Sequence, residues 1–278
     1  MAPKKSLQGV YESHKKNGEV YYRASLTYRN KHISLGSYAS AEDAHRAYLE
    51  AGLLLRDNTT ELKQYSKTSG LSFEKWVVIL NFRDNGLYFP NPIYISKKLF
   101  YYYLSPTLVL KFDIDDLFYY SSHKIMRRGN HYFVADYGMQ INIANRYDIK
   151  NYAVIGRDYL FINGDSTDFR RENIKILNTY HGVTEKKGPK GSLHADSFCA
   201  HIHIRGNFLI GTYNTALEAA IAYNKAIDIL KKKGVNKNFT PNYIDSIPPS
   251  KYAEIYTQVS ISDKILNYVP TSPCNPQS

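Results

Sequence analysis

Histidine and basic side chains recur at every second position in one stretch of the chain, and this spacing suits two kinds of chemistry. His201, His203 and Arg205 alternate with apolar residues and follow Cys199. Such alternation predicts a half-buried strand with one polar face. Cationic side chains on that face can bind phosphate groups, whereas a cysteine and two histidines are also zinc-ligand types. We favour phosphate binding, because a structural zinc site needs a fourth ligand.

A similar stretch lies near the N-terminus. Arg23, Ser25 and Thr27 share one predicted face, Asn30 suits a tight turn, and His32 lies on the strand that returns. The later stretch lies beside a basic loop that contains Lys186, Lys187 and Lys190. Both stretches therefore predict an open, basic sheet face.

The two stretches belong to an internal repeat. Each copy begins with Gly-Val, at Gly9 and at Gly182, and at an offset of 175 residues several small and aromatic residues recur. The matching pairs are Gly36/Gly211, Tyr38/Tyr213, Ala44/Ala219, Ala47/Ala222, Tyr48/Tyr223 and Ala51/Ala226. In each copy, alternation of polar and apolar residues predicts strands, and the alanines at helical spacing predict a helix. We therefore expect three strands followed by one helix. Thr215 and Glu218 have the spacing of a capping box at the helix start, and Ser40 and Asp43 are a weaker version.

Composition limits the partners. The chain has 278 residues, 43% hydrophobic, and a net charge of +11. This excess of positive charge favours nucleic acid or another polyanion as the partner. Two cysteines cannot form a disulfide scaffold, and no apolar run approaches the roughly 20 residues of a membrane helix. The polar N-terminus does not suit secretion, so we expect an intracellular protein that is associated with DNA and not with a membrane.

Three motifs of the second copy carry a family resemblance. They are Tyr-His-Gly-Val beginning at Tyr180, Ile-Gly-Thr-Tyr beginning at Ile210, and an alanine-rich helix that precedes Asn-Phe at Asn238. In this order they resemble the Apetala-2/ethylene-response-factor DNA-binding domain over about sixty residues, and the first copy resembles it over about forty-five. The resemblance implies a three-stranded sheet in the major groove of DNA. The arginines and tryptophans of the plant domains are mostly absent, so the target sequence does not transfer.

Carried over position by position, the resemblance implies DNA-contacting residues in both copies. In the second copy these are His181, Thr184, Lys186, His201, His203 and Leu209. In the first copy they are Gln8, Tyr11, Ser13, Ser25, Thr27, His32 and Ser34. The polar faces and the basic loop add Arg23, Arg205 and Lys187 to the predicted DNA-binding residues.

The middle of the chain carries a second resemblance. Phe-Ile-Asn-Gly-Asp begins at Phe161 and is followed by Arg170 and Asn173. This segment is similar to the C-terminal half of the HNH nuclease motif, and HNH endonucleases often carry an Apetala-2-like module directly after it. In those enzymes an Asp-His pair binds metal and activates water, and a later asparagine completes the metal site. Leu160 and Phe161 stand where that pair belongs, so we predict no catalytic residue. Without catalytic residues, the segment would serve for packing or for holding DNA. Its Asn-Gly-Asp sequence is also typical of an ordinary structural turn.

These observations divide the chain into four predicted segments. They are an Apetala-2-like module at 1–60, a middle domain at 61–178 with a degenerate HNH-like segment at 160–177, a second Apetala-2-like module at 179–240, and a tail at 241–278. The predicted fold class is α+β, with two small modules of a three-stranded antiparallel sheet and one helix flanking a mixed α/β middle. The tail predicts a helix from Ser250 to about Tyr268, which packs on the second module or forms an interaction segment.

The predicted function is sequence-specific binding of double-stranded DNA by a transcriptional regulator that is not an enzyme. The alternative is an HNH-type, homing-like DNA endonuclease. A third interpretation is RNA binding through the exposed sheets and the tyrosines. No cofactor, metal or small-molecule substrate is predicted.

Overall fold

Residues 7–187 and 196–270 are described by a computed structural model of the chain. Lys190 of the predicted basic loop and the last residues of the predicted tail lie outside them. The chain divides into two compact units, residues 1–147 with 163–173 and residues 148–162 with 174–278. Small three-stranded antiparallel sheets and a few helices make up these units, which confirms the predicted α+β class.

The first unit begins with an antiparallel sheet of β1 (Val10–His14), β2 (Val20–Tyr28) and β3 (Lys31–Tyr38), with β2 in the centre. Arg29 and Asn30 turn the chain between β2 and β3 with φ of 45° and 59°. Two successive residues with positive φ form the two-residue turn that matches the twist of paired strands. The predicted turn at Asn30 is confirmed.

A helix, α1 (Ala41–Arg56), covers one face of this sheet. The hydroxyl of Ser40 accepts a hydrogen bond from the Asp43 N–H and so caps the helix start. The alanines of the inner helix face are completely buried: Ala44, Ala47 and Ala51. Side chains this small let the helix backbone lie close to the sheet.

The rest of the first unit is a run of short elements. These are α2 (Phe73–Asn85), β4 (Ile93–Ser96), β5 (Leu99–Ser105), β6 (Leu108–Asp113), α3 (Leu117–Ser122), β7 (Met126–Arg128), β8 (His131–Asp136) and β9 (Met139–Asn142). β4, β5 and β6 form one sheet in that order, and β7, β8 and β9 form another. Trp76 and Leu80 of α2 pack into the same apolar cluster as the inner residues of α1. The first module therefore shares its core with residues beyond position 60.

Aromatic side chains fill the interior around β5 and β6. Phe100, Tyr102, Phe112 and Tyr120 are completely buried. The Tyr102 hydroxyl accepts a hydrogen bond of 3.0 Å from the N–H of Ile125, so this phenol has a polar partner in the core. Packing in the core therefore accounts for Tyr102, the central residue of three consecutive tyrosines at 101–103.

The second unit contains the second copy of the repeat. Its elements are β10 (Tyr159–Phe161), β11 (Ile174–Ile176), β12 (Val183–Lys186), β13 (Ser197–His203), β14 (Asn207–Tyr213), α4 (Ala216–Lys232), α5 (Pro249–Gln258) and α6 (Asp263–Leu266). β12, β13 and β14 form an antiparallel sheet covered by α4, and the predicted capping box of Thr215 and Glu218 is present. The turn between β13 and β14 lies at residues 204–206, where Ile204 N–H bonds to Gly206 O, and β14 begins at Asn207.

The tail differs from the single predicted helix. α5 and α6 are separated by residues 259–262, whose apolar members Val259 and Ile261 are buried. Ser262 N–H donates to the Ile210 carbonyl of β14 at 2.8 Å, so this stretch lies along the sheet. Tertiary packing interrupts the helical pattern, and the tail packs on the second module.

Glycine–tyrosine contacts explain why the repeat keeps its Gly-Val start. A β-carbon on Gly9 would overlap the ring of Tyr48, and one on Gly182 would overlap the ring of Tyr223. Each tyrosine extends from the helix across the beginning of the first strand. Only a residue without a side chain leaves room for this ring, so the glycine and the tyrosine recur together.

Candidate nucleic-acid interface

The face of the first sheet that points away from α1 is polar. Ala24 and Ile33 are buried on the side of α1, and the residues that alternate with them lie on the other side. The cross-strand neighbours on that outer face are Tyr11/Arg23, Ser13/Tyr21, Ser25/Ser34 and Thr27/His32. All predicted residues of the first copy except Gln8 lie on this face.

A register shift shapes this outer face. Ala24 pairs with Gly36, but Ser25 pairs with Ser34, so β3 contains an extra residue at this point. A shallow depression of about 360 Å³ lies at the shift, lined by Tyr11, Arg23, Ala24, Ser25, His32 and Ser34. Ser25 lies at its base and is only 7% exposed, in contrast to the open position that we expected. The longer side chains around Ser25 define the accessible surface.

The outer face of the second sheet repeats this arrangement. Its cross-strand neighbours are Thr184/Cys199, Cys199/Thr212, His201/Leu209 and His203/Asn207. The register again shifts, here between Ala200 and His201. Lys186 and Lys187 are exposed at the end of β12. The structure thus brings these histidines, Thr184 and Lys186 to one side of the sheet.

His181 does not lie on that outer face. Its ring lies edge-on to Tyr152 and to Tyr223, with ring centroids 4.5 and 5.3 Å away. Its Nδ1 is buried without a hydrogen-bond partner, and burial lowers the pKa of the imidazole, with Arg157 adding to the effect. His181, which the resemblance implied as a DNA-contacting residue, is thus placed against the helix tyrosine and apart from the outer face.

Three predicted residues lie beside the sheets and not within them, and one of these is Lys187, which follows β12. Gln8 precedes β1, is exposed, and its carbonyl oxygen lies 2.9 Å from Nδ1 of His45. Arg205 is exposed in the bend between β13 and β14. In the structure Ser37 and Thr212 also lie on the outer faces. Strict alternation along the two strands would have placed the preceding residues, Gly36 and Gly211, there instead. The signal that could have found Ser37 and Thr212 is the glycine at each register shift, Gly36 and Gly211.

The charge on the outer faces has one sign. The strand positions of these faces within the described residues hold Arg23, Lys186 and three histidines, and they hold no aspartate or glutamate. Glu12 and Glu185 occupy the alternate positions of their strands. Burial lowers the pKa of His201, so its neutral form is favoured in the free protein.

Cys199 and the two histidines that follow at alternate positions share this face. The Sγ of Cys199 lies 3.6 Å from Oγ1 of Thr212. Within residues 7–187 and 196–270, no group of three or more His, Cys, Asp or Glu side chains is placed to hold a metal ion.

The HNH-like segment is a loop between β10 and β11 that is held by its own polar side chains. The Asn163 N–H donates to Oδ1 of Asn173 at 2.8 Å, and Nδ2 of Asn173 donates to the Asp168 carbonyl at 2.8 Å. Asp165 accepts from Lys111 at 2.7 Å, and this contact, together with hydrogen bonds from Thr167, lowers its pKa to about 2. Asp168 forms an ion pair with Arg170, at 2.6 Å. Every polar side chain named here has a partner within the first unit.

Comparison with family models, with curated proteins and with solved structures gave no match. None of the helices in the described part of the chain is long and apolar enough to cross a membrane.

Proposed function

We propose that the protein binds double-stranded DNA sequence-specifically, as a transcriptional regulator, and reads the major groove with the outer faces of its two repeated sheets. One observation carries the proposal. Both copies present an open three-stranded face with cationic and hydroxyl side chains and no acidic residue at the strand positions. A phosphate-lined groove is the complement of such a face.

The dimensions support this proposal. Neighbouring strands lie about 4.8 Å apart, so the axes of the outer strands of a three-stranded sheet are about 10 Å apart. The major groove of B-DNA is about 12 Å wide and admits a two-stranded β-ribbon, so the central strand and one neighbour of each sheet can enter it. Arginine can bond to both acceptors of guanine, and serine, threonine and histidine can reach phosphates or base edges. Arg23 lies on the central strand, where it would face the floor of the groove.

The proposal is tested by selection from randomised duplexes, followed by binding measurements on the selected site. Arg23→Ala removes one cation from the outer face, and Arg56→Ala removes one from α1, on the other side of the sheet. We expect at least a tenfold loss of affinity for Arg23→Ala and less than twofold for Arg56→Ala. The slope of log affinity against log salt should fall by about 0.9 for each phosphate that the variant no longer neutralises.

Three results would oppose this function. Equal losses of affinity for the two variants would place DNA elsewhere on the surface. Stronger binding of single-stranded RNA than of the selected duplex would favour the RNA-binding alternative. Metal-dependent nicking of plasmid DNA would favour the endonuclease.

A further inference from the structure

The helices of the two copies differ at equivalent positions on their outer sides. Ile221 and Asn224 of α4 are buried, with 0% and 9% of their surface exposed. Their equivalents in α1 are Arg46 and Leu49, and Leu49 is 51% exposed. One turn further along α1, Leu53 is 65% exposed. The same side of the helix is therefore covered in one copy and open in the other.

In the second copy the cover is α5. The hydroxyl of Tyr252 accepts a hydrogen bond of 3.1 Å from Nδ2 of Asn224, and the hydroxyl of Tyr256 donates one of 2.8 Å to Asp228. Asp228 is the equivalent of Leu53, so two tyrosines one turn apart bond to the positions that the two leucines hold in α1, and of these two positions Asn224 is buried while Asp228 stays exposed. The connection from α1 to α2 contains only a short 3₁₀ turn, Leu62–Gln64.

The uncovered side of α1 has a defined shape and charge. A depression of about 470 Å³ beside the two leucines is lined also by Arg46 and by Trp76, whose buried Nε1 has no hydrogen-bond partner. Arg46, Leu49, Leu53 and Arg56 follow one another at spacings of three, four and three residues, which places them on one stripe of the helix. The apolar pair thus has an arginine at each end.

We propose that this stripe docks an acidic amphipathic helix of a partner protein. Two apolar side chains of the partner, one turn apart, would pack on Leu49 and Leu53, as in other helix-in-groove contacts. Acidic residues at each end would face Arg46 and Arg56. The pair of Arg46 with Asp43 is exposed on both sides and leaves this arginine available. Glu50, which lines the depression, is already bonded to Ser69 and to the Gly70 N–H.

Charge opposes a second copy of this chain as the occupant. If two α1 helices met along the stripe in parallel, Arg46 would face Arg46 and Arg56 would face Arg56. If they met antiparallel, Arg46 would face Arg56. Either pairing brings like charges together, whereas an acidic helix brings opposite charges together.

The chain supplies its own reporter for this site, because Trp76 is its one tryptophan. The probe is a capped, tryptophan-free peptide of about 15 residues, long enough to form a helix, with leucines one turn apart and glutamates at both ends. Added to the full chain, it should change the emission of Trp76 in a saturable manner. The double variant Leu49→Asn, Leu53→Asp carries the residues of the second copy at exposed positions, and it should bind at least tenfold more weakly while keeping the wild-type circular dichroism.

Charge reversal provides the matched test. Arg46→Glu with Arg56→Glu should lose the acidic peptide and gain a peptide with lysine in place of glutamate. Any of these results would overturn the proposal: no saturable binding, equal binding by the leucine double variant, or a self-associated protein that becomes monomeric with Leu53→Asp. Displacement of the peptide by duplex DNA would also overturn it. DNA affinity is measured separately on the sheet variants, so this proposal and the proposed DNA binding can fail independently.

Discussion

Histidine occupies two different environments in this protein. His201 and His203 lie on an open sheet face, whereas His181 is packed between two tyrosine rings. The sequence cannot separate these cases, because each histidine is flanked by residues that suit a strand or its start. What separates them is tertiary packing, because the rings of Tyr152 and Tyr223 flank His181.

The first prediction concerns His201 and His203. Burial lowers the pKa of His201 in the free protein, below the ordinary value of about 6.5. Nearby DNA phosphates favour the charged imidazole, so DNA binding should raise this pKa and take up a proton. Affinity for the selected duplex should therefore increase as pH falls from 7.5 through 6.5 towards 5.5. The double change His201→Gln, His203→Gln should flatten this increase in a fluorescence-anisotropy titration. An equally steep increase in the variant would mean that other groups take up the proton.

The second prediction separates His181 from that pair. Because burial lowers its pKa in the folded state, the unfolded chain binds the proton more tightly below about pH 6.5, and stability decreases as pH falls. His181→Phe keeps a ring between the two tyrosines and removes the unpaired nitrogen. Urea unfolding should show that the stability advantage of the variant over wild type grows between pH 7.5 and pH 5.5. DNA affinity should stay within twofold, and a large loss would show that His181 contacts DNA.

The third prediction tests the glycine under the tyrosine ring. Gly182 and Gly234 have similar positive φ values, 73° and 84°, but only Gly182 would place a β-carbon against its neighbours. Gly234→Ala should therefore cost the conformational term alone, about 1–2 kcal/mol. Gly182→Ala should cost clearly more, because the ring of Tyr223 and the His201 carbonyl would have to move. Equal losses of unfolding free energy in urea would mean that the tyrosine moves aside at no cost.

Among the elements, the loop between β10 and β11 gives the HNH-like motif a structural explanation. Asn173 is buried and connects both ends of the loop through its amide. Leu160 and Phe161 lie on β10 and offer neither a metal ligand nor a proton acceptor. Asn173, which resembles a metal ligand of the HNH motif, thus forms hydrogen bonds with the backbone of its own loop.

The fourth prediction follows from that loop. The protein should not cut plasmid DNA in magnesium, manganese or zinc, because no general base stands beside Asn173 in the motif. Asn173→Ala should instead lower the unfolding free energy by about 1–3 kcal/mol, the cost of leaving buried backbone groups unpaired. Metal-dependent cleavage that this substitution abolishes without a change in stability would contradict the prediction.

At the scale of the whole molecule, the chain carries two polar outer sheet faces on one polypeptide. The first module shares its apolar core with α2, so deletion of residues 1–60 would leave Trp76 and Leu80 without their packing partners. Substitutions on the outer face preserve that core and are the better test of the first module.

The fifth prediction uses such substitutions. Two sites joined on one chain raise each other's effective concentration when both can reach the same duplex. Arg23→Ala with His32→Ala should therefore weaken binding to a long selected site far more than binding to a short half-site that only the second module fills. Both duplexes can be measured at the same salt concentration by gel shift. Equal effects on the two would mean that the first sheet does not contact DNA.

The sequence by itself determined the repeat, its three strands and helix, the capping residues and the polar side of each sheet. These are local properties, because alternation and capping depend on residues only a few positions apart. The position of Asn30 in its turn and the burial of Ala44 followed from the same local patterns.

Only the tertiary structure decided which polar residues remain open. The register shift at Gly36 carries Ser37 to the outer face, and the ring of Tyr223 keeps His181 away from it. The tail divides into α5 and α6 because Ser262 bonds to β14, and α5 covers the side of α4 that stays uncovered on α1. Each of these outcomes depends on contacts between residues that are distant in the chain. A local sequence pattern cannot show such contacts, so it cannot predict these outcomes.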